Sequence, residues 1–131
     1  EYNDAFKAGD AEKAASAFST HWGDGQVWED LPQRSRDLMV EKIRMIKAGE
    51  PNVYGDSYGF SETGRLSKII VPVLLVEGAQ SHTSVAKINS ALEKRLGRTS
   101  RVVIKGAGHM VPITNPIETA QAISQFWNAS R

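Results

Sequence analysis

The sequence predicts an α/β chain, with a helical first half followed by the β-α-β-α order of a parallel sheet. Three observations carry this. Apolar residues recur at the helical period through the first half; Ile69 to Val76 is an unbroken β-branched and apolar run; after it, strand and helix patterns alternate, punctuated by glycine. The composition suits one folded domain: 131 residues, 40% hydrophobic and 24% charged. A chain of this size buries roughly two thirds of its unfolded surface, so a core forms without a metal or a disulfide.

Asp10 caps a first helix whose apolar residues Ala11, Ala14, Ala15, Phe18 and Trp22 keep the 3.6-residue period. Gly23-Asp24-Gly25 breaks it, and Leu31-Pro32 opens a second helix with Pro at its first position and Leu38, Met39, Ile43 and Ile46 on its apolar face. Gly49-Glu50-Pro51 reads as its stop. Residues 52–64 are polar, hold three glycines and read as a linker or irregular excursion. The pattern changes at Leu66, which divides the chain into residues 1–66 and 67–131. Ile69 to Val76 is apolar on both alternating faces, as a strand covered by helices on both sides requires. Thr83 caps the next helix, with Val85, Ile88, Leu92 and Leu96 on one face and Gly97 closing it. A second strand spans Arg101 to Lys105, the turn Gly106-Ala107-Gly108-His109 follows, and Asn115-Pro116-Ile117-Glu118 starts a last helix. That helix is expected to carry Ile117, Ala120, Ile123, Phe126 and Trp127 inward.

Composition also excludes chemistry. Without cysteine there are no zinc-thiolate sites, iron–sulfur clusters or thiol nucleophiles, and no histidine–carboxylate spacing matches a metal site, so no metal is expected. Sixteen basic and fifteen acidic residues, interspersed, give a net charge of +1, which argues against nucleic acid or a membrane surface as partner. The longest apolar run is too short to span a bilayer and no leader pattern opens the chain, so a soluble, cytoplasmic protein is expected. The opening Glu-Tyr-Asn-Asp lacks Met and enters a helical pattern at once, which reads as the later part of a longer polypeptide.

Of the three histidines, His109 alone sits where chemistry is favoured. It follows a predicted parallel strand through two glycines and so lies on the carboxyl edge of the sheet, where open α/β folds bind ligands. Val71-Pro72-Val73-Leu74-Leu75-Val76-Glu77-Gly78, then a helix, a strand, Gly106-Ala107-Gly108-His109-Met110 and Asn115-Pro116 before a helix ending Phe126-Trp127, resembles the C-terminal end of α/β-hydrolase-fold enzymes. The resemblance covers residues 67–131. Residues 1–66, with Phe18, Trp22, Trp28 and Leu31-Pro32, look like the helical cap that precedes this region in many members. The resemblance implies a partial α/β-hydrolase fold and a cofactor-independent serine hydrolase acting on an ester, lactone or similar bond. His109 would be the general base of a Ser-acid-His triad, its imidazole titrating near neutrality.

The other triad members do not transfer. The family often places its acid just beyond the strand-end glycine, yet Gly78-Ala79-Gln80-Ser81-His82 contains no carboxylate. Glu77, Asp56 or a residue outside the chain remain open for that role. Gly55-Asp56-Ser57-Tyr58-Gly59 satisfies G-x-S-x-G, but it lacks the flanking strand and helix of a nucleophile elbow and reads as a polar turn. The nucleophile and oxyanion hole are therefore expected outside this chain. Trp22, Trp28 and Met110 are candidates to line a small-molecule substrate pocket. An alternative reading is a non-catalytic interaction module, or a degenerate hydrolase relic. A half-sheet leaves an open edge, so the missing N-terminal half, a second chain or self-association is expected to complete it. A third reading is a minimal hydrolase that uses Ser57 and His109.

Overall fold

The computed structural model describes residues 1–23 and 27–130. They form two compact units, Glu1–Gly59 and Phe60–Arg131, a division that falls ahead of the composition shift at Leu66. Asp24 and Gly25 of the expected helix break lie outside the described residues.

The first unit is helical. Helix α1 spans Tyr2–Lys7, α2 spans Ala11–Trp22 and α3 spans Gln33–Gly55, with a single 3-10 turn at Trp28–Asp30. Asp10 caps α2 as its sequence position predicts, its carboxylate accepting the Lys13 amide at 3.0 Å. Ala14 and Ala15 let the helices approach closely, and with Ala5, Trp28 and Ile43 they form the core. Tyr2, Phe6, Phe18, Leu31 and Val40 pack around it.

Helix α3 differs from expectation twice. It does not stop at Gly49-Glu50-Pro51 but runs on to Gly55, with Pro51 inside it. Pro51 removes one backbone hydrogen bond, yet Gly49 does not take the left-handed conformation that would end the helix. Termination falls instead to Asp56, at φ 46°. Lys47 meets this stretch from one side, pairing with Glu50 and donating to Asn3 of the first helix at 2.7 Å. The second difference is burial. Only Ile43 of the predicted apolar face is buried, while Leu38, Met39 and Ile46 are exposed, because α1 and α2 offer too little surface to cover a helix of 23 residues.

The second unit carries the sheet. Strand β1 is Val73–Gly78 and β2 is Thr99–Ile104; they pair in parallel from Val73 against Thr99 to Gly78 against Ile104. Helix α4, Thr83–Arg95, connects them, and α5, Val111–Thr114, and α6, Pro116–Ala129, follow β2. The first strand begins later than its apolar run. Pro72 has no amide to donate, so the ladder starts with the Val73 amide on the Arg98 carbonyl at 2.8 Å. Ile70 and Val71, expected inside the strand, stand exposed. Alternation along the strands assigns the helices to opposite faces. Glu77 and Arg101 reach Asn89 and Ser90 of α4, whereas Leu74, Ser100 and Val102 share a groove with Ala122 and Phe126 of α6.

Helix α6 begins at Pro116 with Asn115 as its cap residue, as predicted, but no side chain bonds the first turn; Thr119 instead donates back to the Asn115 carbonyl at 2.8 Å. Thr119 and Ala122 are buried and Phe126 half-buried. Ile117, Ile123 and Trp127, expected to face inward, are 69, 52 and 60% exposed. A sheet of two strands covers a strip of α6 narrower than its apolar face. No helix among the described residues is long and apolar enough to cross a membrane.

Candidate functional site

The carboxyl ends of β1 and β2 meet in one compact junction. Past Ile104 the chain reverses at Gly106, whose φ of 73° suits glycine, and Ala107 and Gly108 then cross the end of β1. The crossing leaves no room for a side chain at Gly78: a Cβ there would lie 2.2 Å from the Gly108 carbonyl oxygen and 2.3 Å from that of Ala107. Two backbone bonds lock the contact, Ala79 N–H to Ile104 O and Gln80 N–H to Ala107 O, both at 2.9 Å. His109 is the residue after this crossing. It is exposed at the carboxyl edge of the sheet, on a turn whose backbone is held against the strand end. Met110 beside it is 41% exposed and serves as the cap residue of α5, its carbonyl accepting from Ile113 and Thr114.

The loop after β1 faces the same junction. Its Ser81 amide donates to Gly78 O at 3.1 Å, while the Ser81 hydroxyl is buried without a hydrogen-bond partner. His82, and not Thr83, is the cap residue of α4: its Nδ1 accepts the Ser84 amide and lies 2.8 Å from Ser84 Oγ. The histidine nitrogen thus does what Ser, Asp or Asn does at most helix starts.

Glu77 is buried, at 5% exposure, and belongs to a cluster that sequence reading does not reach. Its Oε1 takes Arg101 Nη2 at 2.6 Å and its Oε2 takes Asn89 Nδ2 at 2.6 Å. Arg101 also donates to Ser90 Oγ at 2.8 Å and to the Ala86 carbonyl, and lies 3.6 Å from Glu93. The Glu77 contact holds the Arg101 guanidinium even more firmly protonated than usual, against the opposing effect of desolvation. Both oxygens of Glu77 are engaged beneath α4, so its geometry is that of a structural ion pair rather than of a group turned to His109. The only sequence hint is Glu77, an acid at the end of an otherwise apolar strand that needs a partner once buried; nothing in the sequence names Arg101 or Asn89 as that partner.

The remaining candidates are dispersed. Trp28 is a core residue of the first unit, whose edge also lines a polar groove of about 380 Å³ with Lys13, Glu29 and Arg36. Trp22 is half-buried and meets the His21 ring edge-on at 4.9 Å. Asp56 and Ser57 lie in the turn after α3, and the Ser57 hydroxyl faces the Pro51 carbonyl at 3.5 Å. A helix precedes Ser57 where a nucleophile elbow has a strand. In the second unit, a groove of about 450 Å³ lies between α6 and the sheet, at the amino ends of the strands and so away from His109. No group of three or more metal-ligating side chains occurs among the described residues. Compared with protein-family models, curated proteins and solved structures, the chain matches none.

Proposed function

We propose that this chain supplies the general base, His109, of a cofactor-independent serine hydrolase, with the nucleophile on polypeptide outside these 131 residues. The observation that carries the reading is the junction at Gly78. A glycine turn is pinned across the end of a parallel strand, and the residue it presents at the carboxyl edge is a histidine. Rigid backbone support is what a proton-transferring imidazole needs, since its reach is set by hydrogen-bond geometry before its pKa matters. On this reading His109 takes the proton of a serine hydroxyl as that oxygen attacks the carbonyl carbon of an ester or lactone. It then returns the proton to the departing alcohol, and the acyl-serine is hydrolysed in a second round. Met110, exposed next to the base, would contact the substrate. Helices on both faces of the parallel strands agree with the fold that the resemblance implies.

The test is p-nitrophenyl ester hydrolysis by the native polypeptide or complex that contains residues 1–131, with and without His109→Ala. Turnover should fall by a factor on the order of 10³ or more, the loss expected when a triad member is removed. Turnover that survives the substitution would overturn the assignment.

A second reading, a non-catalytic association module, is favoured by one specific observation. The strand-end carboxylate of Glu77 has both oxygens taken by Arg101 and Asn89, and the loop from Gly78 to His82 contains no carboxylate. Under that reading the same substitution leaves binding to the partner intact.

A further inference from the structure

Arg101 ties three elements together beneath α4, and the reaction assigned to His109 uses none of that cluster. From β2 its Nη2 donates to Glu77 Oε1 of β1 at 2.6 Å and to the Ala86 carbonyl of α4 at 3.2 Å, and its Nη1 donates to Ser90 Oγ of α4 at 2.8 Å. Glu77 closes the triangle, its Oε2 accepting from Asn89 Nδ2 of α4 at 2.6 Å. Stability alone accounts poorly for such a cluster. Well-packed apolar side chains often serve a buried position as well as an ion pair or better, and here the Arg101 Nε is buried without a hydrogen-bond partner. Placement explains more. Residues 79–82 lead from β1 to α4, and the cluster grips both ends of that loop, Glu77 in the strand before it and Ala86, Asn89 and Ser90 in the helix after it. The loop in turn braces the turn that presents His109, through Ala79 N–H to Ile104 O and Gln80 N–H to Ala107 O.

We infer that Arg101 is a positioning residue for His109, acting through Glu77 and α4 on the loop that holds the histidine turn. The inference rests on the assignment of His109 as the base. No side chain of the cluster has to touch the imidazole, because the path runs through backbone. Glu77 adjoins Gly78, Gly78 faces the Gly108 carbonyl with no room for a side chain, and Gly108 adjoins His109. Removing the Arg101 guanidinium releases both ends of the loop at once, and the turn loses its fixed support. A displacement of about 1 Å at a group that must transfer a proton can cost on the order of 10²-fold in rate. Since the base takes no part in holding the substrate before reaction, the loss falls on kcat and leaves KM unchanged.

The test is p-nitrophenyl ester hydrolysis by the native polypeptide or complex that contains residues 1–131, with the double variant Glu77→Gln/Arg101→Met beside His109→Ala. The double variant removes both charges together, so its unfolding temperature should lie near the parent's. Its kcat should nevertheless fall by about 10- to 100-fold at unchanged KM, and the Ala79 and Gln80 amides should exchange faster. Parental kcat in a double variant of parental stability overturns the inference, as does a loss confined to KM. Should the double variant not fold, Ser90→Ala removes only the Nη1 contact to α4 and should lower kcat by a few-fold with KM held; parental kcat in that variant decides against Arg101. The two readings fail separately. If His109→Ala leaves turnover intact, the base assignment falls and this inference with it. If His109→Ala abolishes turnover while the double variant keeps it, the base stands and only the role of Arg101 is lost.

Discussion

Gly78 bears on the position of His109 through the turn packed against it. Its missing side chain is what allows the carbonyls of Ala107 and Gly108 to cross the strand end, and those neighbours are backbone, which cannot rotate aside. Gly78→Ala should therefore cost about 1–3 kcal/mol or more, the range for overpacking a tight site. It should also displace His109, seen as a shift of its imidazole resonances, while His82 resonances stay put. An unchanged unfolding temperature would mean that the crossing is looser than described. Tyr2 gives a second test, in the helical unit. Burial, followed by the negative charge of Glu50, raises its phenol above the ordinary value near 10. A group whose pKa is raised on folding stabilises the fold fully below the unfolded value and loses that contribution as pH climbs through the folded one. Stability should therefore fall above about pH 10, where phenols ionise. Tyr2→Phe, which removes the ionising hydroxyl, should flatten the alkaline loss, read as unfolding temperature against pH.

Among the elements, the starts of α2 and α6 were the most legible, and the reasons are local. Asp10 caps an alanine-rich helix with its carboxylate, and Pro116 brings to the first turn of another a φ already set for helix; neither needs tertiary context. Where tertiary contacts decide, the pattern misleads. Pro51 reads as a stop but is carried within α3, and the apolar run before Pro72 reads as strand although the ladder starts after it. The turn carrying His109 is legible because glycines punctuate it; the Glu77–Arg101–Asn89 cluster is not, because its members are distant in sequence and meet only once α4 lies on the sheet. That cluster makes its own prediction. Arg101→Met strands the Glu77 carboxylate under α4 and should lower the unfolding temperature by several degrees or more. Adding Glu77→Gln should recover much of the loss, because a buried pair is costly to break but cheap to replace as a whole. Additive losses in the double variant would show that the two side chains are not coupled.

For the whole molecule, apolar surface exceeds what the elements cover. Helix α6 leaves Ile117, Ile123 and Trp127 to solvent, α3 leaves Leu38 and Met39, and β1 ends in an edge with unengaged amides. Isolated two-stranded sheets are marginal, and parallel strands are ordinarily buried within larger sheets. The same surplus explains why Ile117, Ile123 and Trp127 were expected to face inward: their spacing is that of a helix with more to cover than two strands provide. The central claim is that His109 serves a serine supplied from outside residues 1–131. The direct measurement is to label the native polypeptide or complex with a fluorophosphonate and map the modified serine by peptide mass. The account predicts one labelled serine, on a peptide absent from these 131 residues, in material that co-purifies with them and weighs more than 14.4 kDa in total. A label on Ser57, or no label in material that is otherwise intact, would contradict it.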